Sequence, residues 1–227
     1  MRYKAILMDV DDTLFDFQAG NRRAVDGIMD ELGYFHPDRY DQYEQINLAC
    51  WRALEQGRMT QAQLQTARFA RFMDAYRVPG DPEAAGRRFV ELLGRQAILL
   101  PGALETARAI AEKLPVMIVT NGITAVQKSR MALSPLREVV AGMVISQEVG
   151  AAKPDPAIFD LALARLGVGR HDALMIGDGI NSDIRGANNA GIDACWVNPR
   201  GETLPDGVRA EYEVRDIREC AAVALRE

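Results

Sequence analysis

Two hydrophobic patterns divide the chain. Residues 4–9 form a short apolar run that ends in acidic residues, which predicts a buried strand. From about residue 17 to residue 97 the pattern changes to helical spacing. In the clearest example, side chains recur at intervals of four and three residues at Ala62, Thr66, Phe69, Met73 and Tyr76. Because this spacing places side chains on one face of a helix, and no strand pattern interrupts the stretch, we predict an all-α unit here.

Four helices are predicted within this unit, at residues 19–32, 39–56, about 61–77 and 82 to about 94. Asp38, Thr60 and Asp81 stand before three of them, where a side-chain oxygen can accept the unpaired N–H groups of a first turn. Gly33 and Gly57 follow the first two helices, as glycine often does at a helix C-terminus.

Strands and helices alternate after Pro101. The predicted strands are 116–120, 143–146, 173–177 and 194–197, and the predicted helices are 102–113, 123–132, 156–166, a short one from Ser182, and 216–225. Such alternation implies a mostly parallel sheet with helices on both faces. The first strand must join this sheet. We therefore predict a doubly wound, Rossmann-like α/β core of residues 1–16 and 98–227, with an all-α four-helix unit of residues 17–97 inserted.

Composition and charge narrow the classes of function. The 227 residues are 48% hydrophobic and 26% charged, with a net charge of −5, a balance typical of a globular protein. No run of Lys or Arg forms a basic stripe, which argues against binding to a nucleic acid polymer or to an anionic membrane surface. The longest apolar runs, such as Val116–Val119, are too short to span a bilayer.

The N-terminus and the cysteines bear on where the protein works. Acidic residues from Asp9 onward interrupt the first apolar stretch, which therefore does not resemble a signal peptide. Cys50, Cys195 and Cys220 are an odd, widely spaced set, which predicts buried free thiols in a reducing compartment. We expect a cytoplasmic protein, and the sequence leaves open whether it is a monomer or a homodimer.

The ends of the predicted strands and the start of one helix carry mostly polar residues and glycine. They are Asp9, Asp11, Asp12 and Thr13 at and after the end of the first strand, Thr120, Asn121 and Gly122 at and after the end of the second, Lys153, Pro154 and Asp155 before the helix at 156, and Gly177, Asp178 and Asp183 at and after the end of the fourth strand. Ligands of open α/β sheets bind outside the carboxyl ends of the strands, so we expect these residues to converge at one edge. Asp12 and Asp155 are interpreted as turn formers or helix caps.

Carboxylates, an ammonium and a hydroxyl at one edge point to phosphate chemistry. Like charges this close need a counter-charge, and Mg²⁺ suits them because it prefers oxygen ligands. Mg²⁺ beside a lysine and backbone N–H groups forms a receptor for a phosphate. Other mechanisms lack candidate motifs, since Gly-x-Ser-x-Gly, Gly-x4-Gly-Lys-Ser/Thr and Gly-x-Gly-x-x-Gly do not occur.

In their order along the chain, four of these segments resemble the motifs of the haloacid-dehalogenase-like superfamily. The segments are Asp9-x-Asp11-x-Thr13, Thr120, Lys153-Pro154 and Gly177-Asp178-x4-Asp183. The resemblance implies that Asp9 is the nucleophile of an aspartyl-phosphate reaction. It also implies that Asp11 is the general acid for the leaving oxygen and then the general base for water. Because dehalogenases in the superfamily do not need this second acid, Asp11 favours phosphate-ester chemistry.

The resemblance also implies which residues bind phosphate and metal. Thr120 and the backbone amide of Asn121 would hold the transferring phosphoryl group, and Lys153 would neutralise its charge. The ligands of Mg²⁺ would be Asp9, the Asp11 carbonyl and Asp178, with Asp183 holding a metal-bound water or Lys153.

The inserted helical unit resembles the C1-type cap of the superfamily, and within it the cap of 5′-nucleotidases that act on pyrimidine and non-canonical pyrimidine nucleotides. The residues that resemble this cap are Tyr43, Ile46, Asn47, Trp51, Glu55 and Gly57, followed by Thr60, Leu64, Arg68 and Phe69. The segments Leu14-Phe15, 145–150, 189–192 and Cys195-Trp196 match the same subfamily.

Four residues are candidates for contact with a substrate. The Asn47 amide lies among apolar neighbours on its predicted helix face, where it could hydrogen-bond a base edge, and Trp51 or Phe15 could stack on the base. Alternatively, Asn47 ties two helices together and Trp51 belongs to the core of the helical unit. Arg68 could reach a substrate oxygen or form a surface salt bridge.

We therefore expect a Mg²⁺-dependent phosphatase for a small-molecule phosphomonoester, namely a pyrimidine or non-canonical pyrimidine nucleoside 5′-monophosphate. Another small metabolite, such as phosphoglycolate or a sugar phosphate, is the main alternative. A phosphomutase would have to keep water from the aspartyl-phosphate, and nothing in the cap sequence indicates how. A binding module without activity would not need Asp11.

Overall fold

The computed structural model describes residues 1–226, apart from the side chain of Glu55, and divides into two compact units. The larger unit comprises Met1–Phe17 and the chain from Ala97 onward, and the smaller comprises Gln18–Gln96. The predicted divisions, after residue 16 and before residue 98, each lie one residue from these boundaries. The predicted end of the core at Glu227 and the side chain of Glu55 lie outside the described part of the chain.

Within the described residues, the larger unit contains one sheet of six strands. The strands are β1 (Ala5–Met8), β2 (Val116–Thr120), β3 (Gly142–Ile145), β4 (Ala173–Gly177), β5 (Asp193–Val197) and β6 (Tyr212–Val214). Their order is β3-β2-β1-β4-β5-β6, and every neighbouring pair is parallel. The predicted α/β class with a parallel sheet is therefore confirmed. The sequence did not predict β6, whose three residues are too few to show an alternation.

The smaller unit is helical. Its helices are α1 (Phe17–Glu31), α2 (Arg39–Glu55), α3 (Gln61–Tyr76) and α4 (Pro82–Gly94), α1 beginning at the last residue of the larger unit. Tyr43 on α2, Phe69 on α3 and Phe89 on α4 are all fully buried. Their ring centroids lie 5.5–5.7 Å apart, within the range of favourable aromatic contacts. This aromatic cluster holds the three helices together.

Two of the three predicted N-caps form side-chain caps. Thr60 Oγ1 accepts a hydrogen bond from the Gln63 N–H at 3.2 Å, and Gln63 Oε1 accepts one from the Thr60 N–H at 2.8 Å, which completes a capping box. Asp81 accepts from the Glu83 N–H at 2.9 Å. Asp38 makes no side-chain cap bond, so its predicted role was wrong. Its ψ of 17° departs from the extended conformation that an N-cap normally adopts.

Helices cover both faces of the sheet in the larger unit. They are α5 (Ala103–Ala111), α6 (Thr124–Leu133), α7 (Ser146–Val149), α8 (Pro156–Leu166), α9 (Arg185–Ala190) and α10 (Cys220–Ala224). Because side chains alternate along a strand, Ile6 of β1 joins one core cluster with Ala107 of α5. Leu7 joins the other cluster, with Phe159 of α8 and Ala187 of α9. None of the helices described, in either unit, has the length and apolar character needed to cross a membrane.

Some predicted helices are shorter or tighter than expected. The helix expected from Ser182 begins as a π-helical turn over Ile180–Ile184 before α9. The predicted terminal helix is a 3₁₀ turn, Ile217–Glu219, followed by α10. 3₁₀ turns are frequent at helix ends, whereas π-helical turns are rare. Both are too short to leave a signal in the hydrophobic pattern.

The two caps give a matched test of helix stability. Thr60→Ala removes the acceptor for a first-turn N–H, so we expect it to lower the free energy of unfolding by about 1 kcal/mol. Asp38→Ala removes no cap bond and should cost clearly less. Urea unfolding followed by tryptophan fluorescence, to which Trp51 on α2 and Trp196 on β5 both contribute, measures both changes. Equal losses for the two variants would contradict the assignment of the caps.

Candidate active site

The parallel register brings the ends of β1, β2 and β4 side by side. Met8 pairs with Ile118 on one side and with Ile176 on the other, and the Asp9 N–H donates to the Ile176 carbonyl at 2.9 Å. Asp9 therefore leaves the sheet between the ends of its two neighbours. The expected convergence at one edge occurs because all three strands point the same way.

A buried ammonium joins two carboxylates at this edge. Lys153 Nζ lies 2.5 Å from Asp9 Oδ1 and 2.6 Å from Asp183 Oδ1, and it donates to the Val119 carbonyl at 2.7 Å. The side chains of Lys153 and Asp183 are 2% and 1% exposed. The ammonium therefore makes two hydrogen bonds, to Asp9 and to the Val119 carbonyl, and a close ion pair with Asp183.

The Asn121 side chain fixes the backbone of Lys153. Its Nδ2 donates to the Lys153 carbonyl and its Oδ1 accepts from the Lys153 N–H, both at 2.8 Å. The loop after β2 therefore anchors the segment that carries the lysine.

Burial and charge shift the ionisation of the cluster. Burial raises the pKa of Asp9 well above its usual range, with Lys153 acting in the opposite direction. Burial also raises the pKa of Asp178 to about 7, and the charge of Asp183 adds to the shift. For Lys153, burial lowers the pKa, but Asp183 and Asp9 outweigh this effect and the net shift is upward. The lysine is therefore charged at neutral pH. Ionisation of Asp9 and Asp178 is unfavourable, because both are buried and lie close to other acidic groups.

Three carboxylates could hold a metal ion. Ligand oxygens of Asp9, Asp178 and Asp183 lie within 4.8 Å of one another. Thr13 donates to Asp178 Oδ1 at 3.0 Å, and Trp196 Nε1 donates to the Asp178 carbonyl at 3.0 Å, so Asp178 is held in place. Three carboxylates against one ammonium leave a negative charge in a donor set made of oxygen. This is the chemistry that a hard divalent cation requires, and the residues fit Mg²⁺.

Gly177, at the end of β4, makes room for the Asp183 side chain. A Cβ at residue 177 would overlap the Asp183 carboxyl group. Asp183 also accepts a hydrogen bond from the Gly179 N–H at 2.9 Å. The glycine after the strand thus allows a carboxylate from the following turn to fold back towards Lys153.

Asp11 lies in different surroundings from Asp9. Its Oδ1 is 2.5 Å from Arg130 Nη1, and its Oδ2 accepts from Gln127 Nε2 at 2.6 Å. The same Gln127 amide reaches the Thr120 hydroxyl at 3.2 Å. Sequence reasoning missed both Gln127 and Arg130. The available signal was their spacing of three residues on the helix that follows Thr120-Asn121-Gly122, where two polar side chains share a buried face.

Two of the four expected substrate contacts lie in surroundings that the sequence did not indicate. Phe15 is fully buried, and the Arg130 guanidinium lies 4.3 Å from its ring centroid. A covered ring offers no face to a base, so the stacking role is withdrawn for Phe15. Arg68 is 3% exposed and lies 4.4 Å from the Phe89 ring centroid, so the alternative of a surface salt bridge was wrong.

Asn47 and Trp51 lie on α2 as expected. Asn47 Oδ1 accepts a hydrogen bond from Arg68 Nη1 at 3.4 Å. This bond ties α2 to α3, as the alternative prediction for Asn47 stated. Trp51 is half-buried.

Asp12 and Asp155 act as the expected caps, accepting from the Phe17 and Ala157 N–H groups at 3.0 and 2.9 Å.

Comparison with known proteins agrees with this geometry. Residues 3–191 match the family of haloacid dehalogenase-like hydrolases. The pyrimidine 5′-nucleotidase YjjG of Escherichia coli is 33% identical over 222 residues, which cover 96% of each chain. The pyrimidine 5′-nucleotidase PynA of Streptococcus pneumoniae is 32% identical over 97% of this chain and 95% of its own.

A solved structure shows the same similarity in three dimensions. The crystal structure of the HAD-hydrolase YfnB from Bacillus subtilis, bound to magnesium, matches with a TM-score of 0.92 and 29% identity over the full length of both chains. The sequence match and the strand-end carboxylates with their buried lysine lead to one conclusion. The chain belongs to the haloacid dehalogenase-like hydrolases.

Proposed function

We propose that the protein is a Mg²⁺-dependent phosphatase that hydrolyses pyrimidine nucleoside 5′-monophosphates, with non-canonical pyrimidine nucleotides as further candidates. The observation that carries the proposal is the Lys153 ammonium held between Asp9 and Asp183 at the end of a parallel sheet. An ammonium beside a carboxylate nucleophile and a metal-binding carboxylate set suits the transfer of a phosphoryl group. The names of the relatives YjjG and PynA support the nucleotide substrate.

The proposed reaction has two steps. In the first, an Asp9 carboxylate oxygen attacks phosphorus, the bond from phosphorus to the leaving oxygen breaks, and Asp11 gives its proton to that oxygen. In the second, water attacks the phosphorus of the aspartyl-phosphate, Asp11 takes a proton from the water, and the Asp9 carboxylate is released. The products are a nucleoside and inorganic phosphate. Thr120 and the Asn121 amide would hold the phosphoryl oxygens throughout, and Lys153 would balance their charge.

Asp9, Asp178 and the Asp11 carbonyl would hold Mg²⁺, while Asp183 pairs with Lys153. When bound, the ion supplies positive charge that stabilises the phosphoryl oxygens. The clustering of carboxylate oxygens and the magnesium in the B. subtilis relative support this assignment. Thr13 and Trp196 would keep Asp178 in position whether or not the ion is present.

We further propose that the helical unit serves as the cap that selects the leaving group. Its interior holds a charged group that packing alone does not require. Arg68 is buried, and its Nε and Nη2 have no hydrogen-bond partner within the described residues. Buried donors of this kind are costly unless a ligand satisfies them, which supports a substrate oxygen as the partner of Arg68. Asn47 and Trp51 remain candidates for contact with the base.

We also propose that the enzyme works in the cytoplasm. Cys50, Cys195 and Cys220 are all buried free thiols, which supports a reducing, cytoplasmic environment.

A substrate panel tests the choice of substrate. We expect phosphate release from UMP and dTMP to exceed release from phosphoglycolate and sugar phosphates, and to stop when Mg²⁺ is chelated. Equal or faster release from phosphoglycolate would overturn the nucleotide assignment while leaving phosphatase activity intact. An isomeric phosphosugar formed without free phosphate would identify a phosphomutase instead.

Asp9→Asn tests the nucleophile. The amide cannot form the aspartyl-phosphate, so we expect turnover to fall by roughly a thousandfold or more while the fold persists. Asp155→Asn is the matched control, because Asn caps a helix as well as Asp does and residue 155 serves as the N-cap of α8. Phosphate release and circular dichroism measure activity and folding. Near-normal turnover in Asp9→Asn would show that the nucleophile lies elsewhere.

Asp178→Asn tests whether the ionised Asp178 carboxylate destabilises the fold when no metal is bound. In the folded metal-free protein the pKa of Asp178 is raised to about 7. The free energy of unfolding therefore falls as pH rises from about 4 to about 7, and the full loss is present above pH 7. We therefore expect the variant to be about 1–3 kcal/mol more stable than wild type at pH 8 without metal, and little different at pH 4. Thermal unfolding at the two pH values measures this.

The same variant shows whether the change in stability comes from the charge of Asp178 or from a change in packing. Mg²⁺ should raise the Tm of wild type at pH 8 but have much less effect on Asp178→Asn, which has lost a ligand. A gain in stability that does not depend on pH would rule out the ionisation argument, as would an unchanged response to Mg²⁺.

A further inference from the structure

Two side chains on one face of α6 hold both oxygens of the Asp11 carboxylate. Arg130 Nη1 lies 2.5 Å from Oδ1, and Gln127 Nε2 donates to Oδ2 at 2.6 Å. Gln127 and Arg130 are 2% and 1% exposed. Contacts from two different donors on one helix fix the carboxyl group in both position and rotation.

Gln127 and Arg130 also bond to each other and to the phosphate-binding region. Arg130 Nη1 approaches Gln127 Oε1 at 3.3 Å, and Gln127 Nε2 reaches the Thr120 hydroxyl at 3.2 Å. The Gln127 amide therefore links the proposed general acid to the hydroxyl at the end of β2.

The surroundings of the pair are shaped to hold it. The Arg130 guanidinium lies over the buried Phe15 ring at 4.3 Å, within the range of cation–π contact. A Cβ at Gly122 would overlap the Gln127 amide, so the glycine after Asn121 leaves the space that Gln127 occupies. Buried polar side chains held this closely are a mark of a specific arrangement.

We propose that Gln127 and Arg130 are positioning residues that aim Asp11 at the leaving-group oxygen and keep it in register with the phosphoryl group. This inference rests on the proposed function. Each carboxylate oxygen has two lone pairs, and the contacts with Arg130 and Gln127 use one on each oxygen. A second lone pair is left to carry the proton that Asp11 gives to the leaving-group oxygen. A free aspartate would sample several rotamers, and proton transfer requires one near-attack geometry.

Leaving-group dependence separates positioning of Asp11 from general damage. A nucleoside leaves as an alkoxide that needs a proton, whereas p-nitrophenolate is stable without one. Because kcat/KM reports the steps up to formation of the aspartyl-phosphate, the ratio of kcat/KM for UMP to that for p-nitrophenyl phosphate measures the help given to the leaving group. If UMP is a poor substrate, the best alkyl phosphomonoester of the panel takes its place.

We expect Arg130→Met and Gln127→Met each to lower this ratio by roughly tenfold or more, in the direction of Asp11→Asn, since general acid catalysis contributes about 10²–10⁴-fold. Lys128→Met is the matched control. It also removes a polar side chain from α6, but Lys128 is exposed and pairs with Glu148, so its ratio should equal that of wild type. Arg130→Lys keeps the charge and should restore part of the ratio.

One double variant tests whether Arg130 acts through Asp11. If Arg130 acts through Asp11, adding Arg130→Met to Asp11→Asn should lower the ratio no further. Equal losses on both substrates, or a further independent loss in the double variant, would overturn the positioning role. A ratio unchanged in Asp11→Asn itself would instead show that the proposed acid role of Asp11 is wrong. If circular dichroism shows that Arg130→Met does not fold, Arg130→Lys and Gln127→Met decide the outcome.

Discussion

The candidate active site depends on one buried ion cluster, in which the Lys153 ammonium lies between the carboxylates of Asp9 and Asp183. Charges removed from water are costly unless they are paired and fully hydrogen-bonded. Here the Val119 carbonyl also accepts a hydrogen bond from the ammonium, and Asn121 holds the lysine backbone in place. Lys153 and Asp9 are 144 residues apart in the chain, so it is the parallel sheet that brings the two charges together.

A second ion pair, between Asp11 and Arg130, gives the two aspartates of the β1 loop different surroundings. Asp9 bonds to a lysine inside an acidic cluster, while Asp11, two residues later, bonds to Arg130 and Gln127. The environment of a carboxyl group decides its chemistry more than its type does. We propose that Asp9, which lies in the acidic cluster with Asp178 and Asp183, is the nucleophile. Asp11 lies outside that cluster, and we propose that it donates and accepts the proton.

The sequence predicted those parts of the molecule that follow from strand ends and helical spacing. Asp9, Lys153, Asp178 and Asp183 were expected together because parallel strands place their carboxyl ends at one edge, and the structure brings these side chains into one cluster. The alternation after Pro101 likewise predicted the parallel sheet.

Other parts depend on which way a side chain points, which spacing alone does not reveal. Gln127 and Arg130 look like ordinary polar positions of a helix until α6 is placed against the β1 loop. Phe15 follows a polar loop and could have been exposed, but the Arg130 guanidinium covers it. Strand β6 and the π-helical turn at Ile180–Ile184 are too short for a periodic signal. These features arise from tertiary packing, which overrides local preference.

We propose that a divalent cation shares the charge of the strand-end carboxylates. Anomalous diffraction from crystals soaked in Mn²⁺, with an unsoaked crystal as the reference, would locate such an ion. We expect one strong peak about 2.1 Å from oxygens of Asp9 and Asp178, with Lys153 still paired to Asp183. A peak elsewhere in the molecule, or no peak at this edge of the sheet, would contradict it.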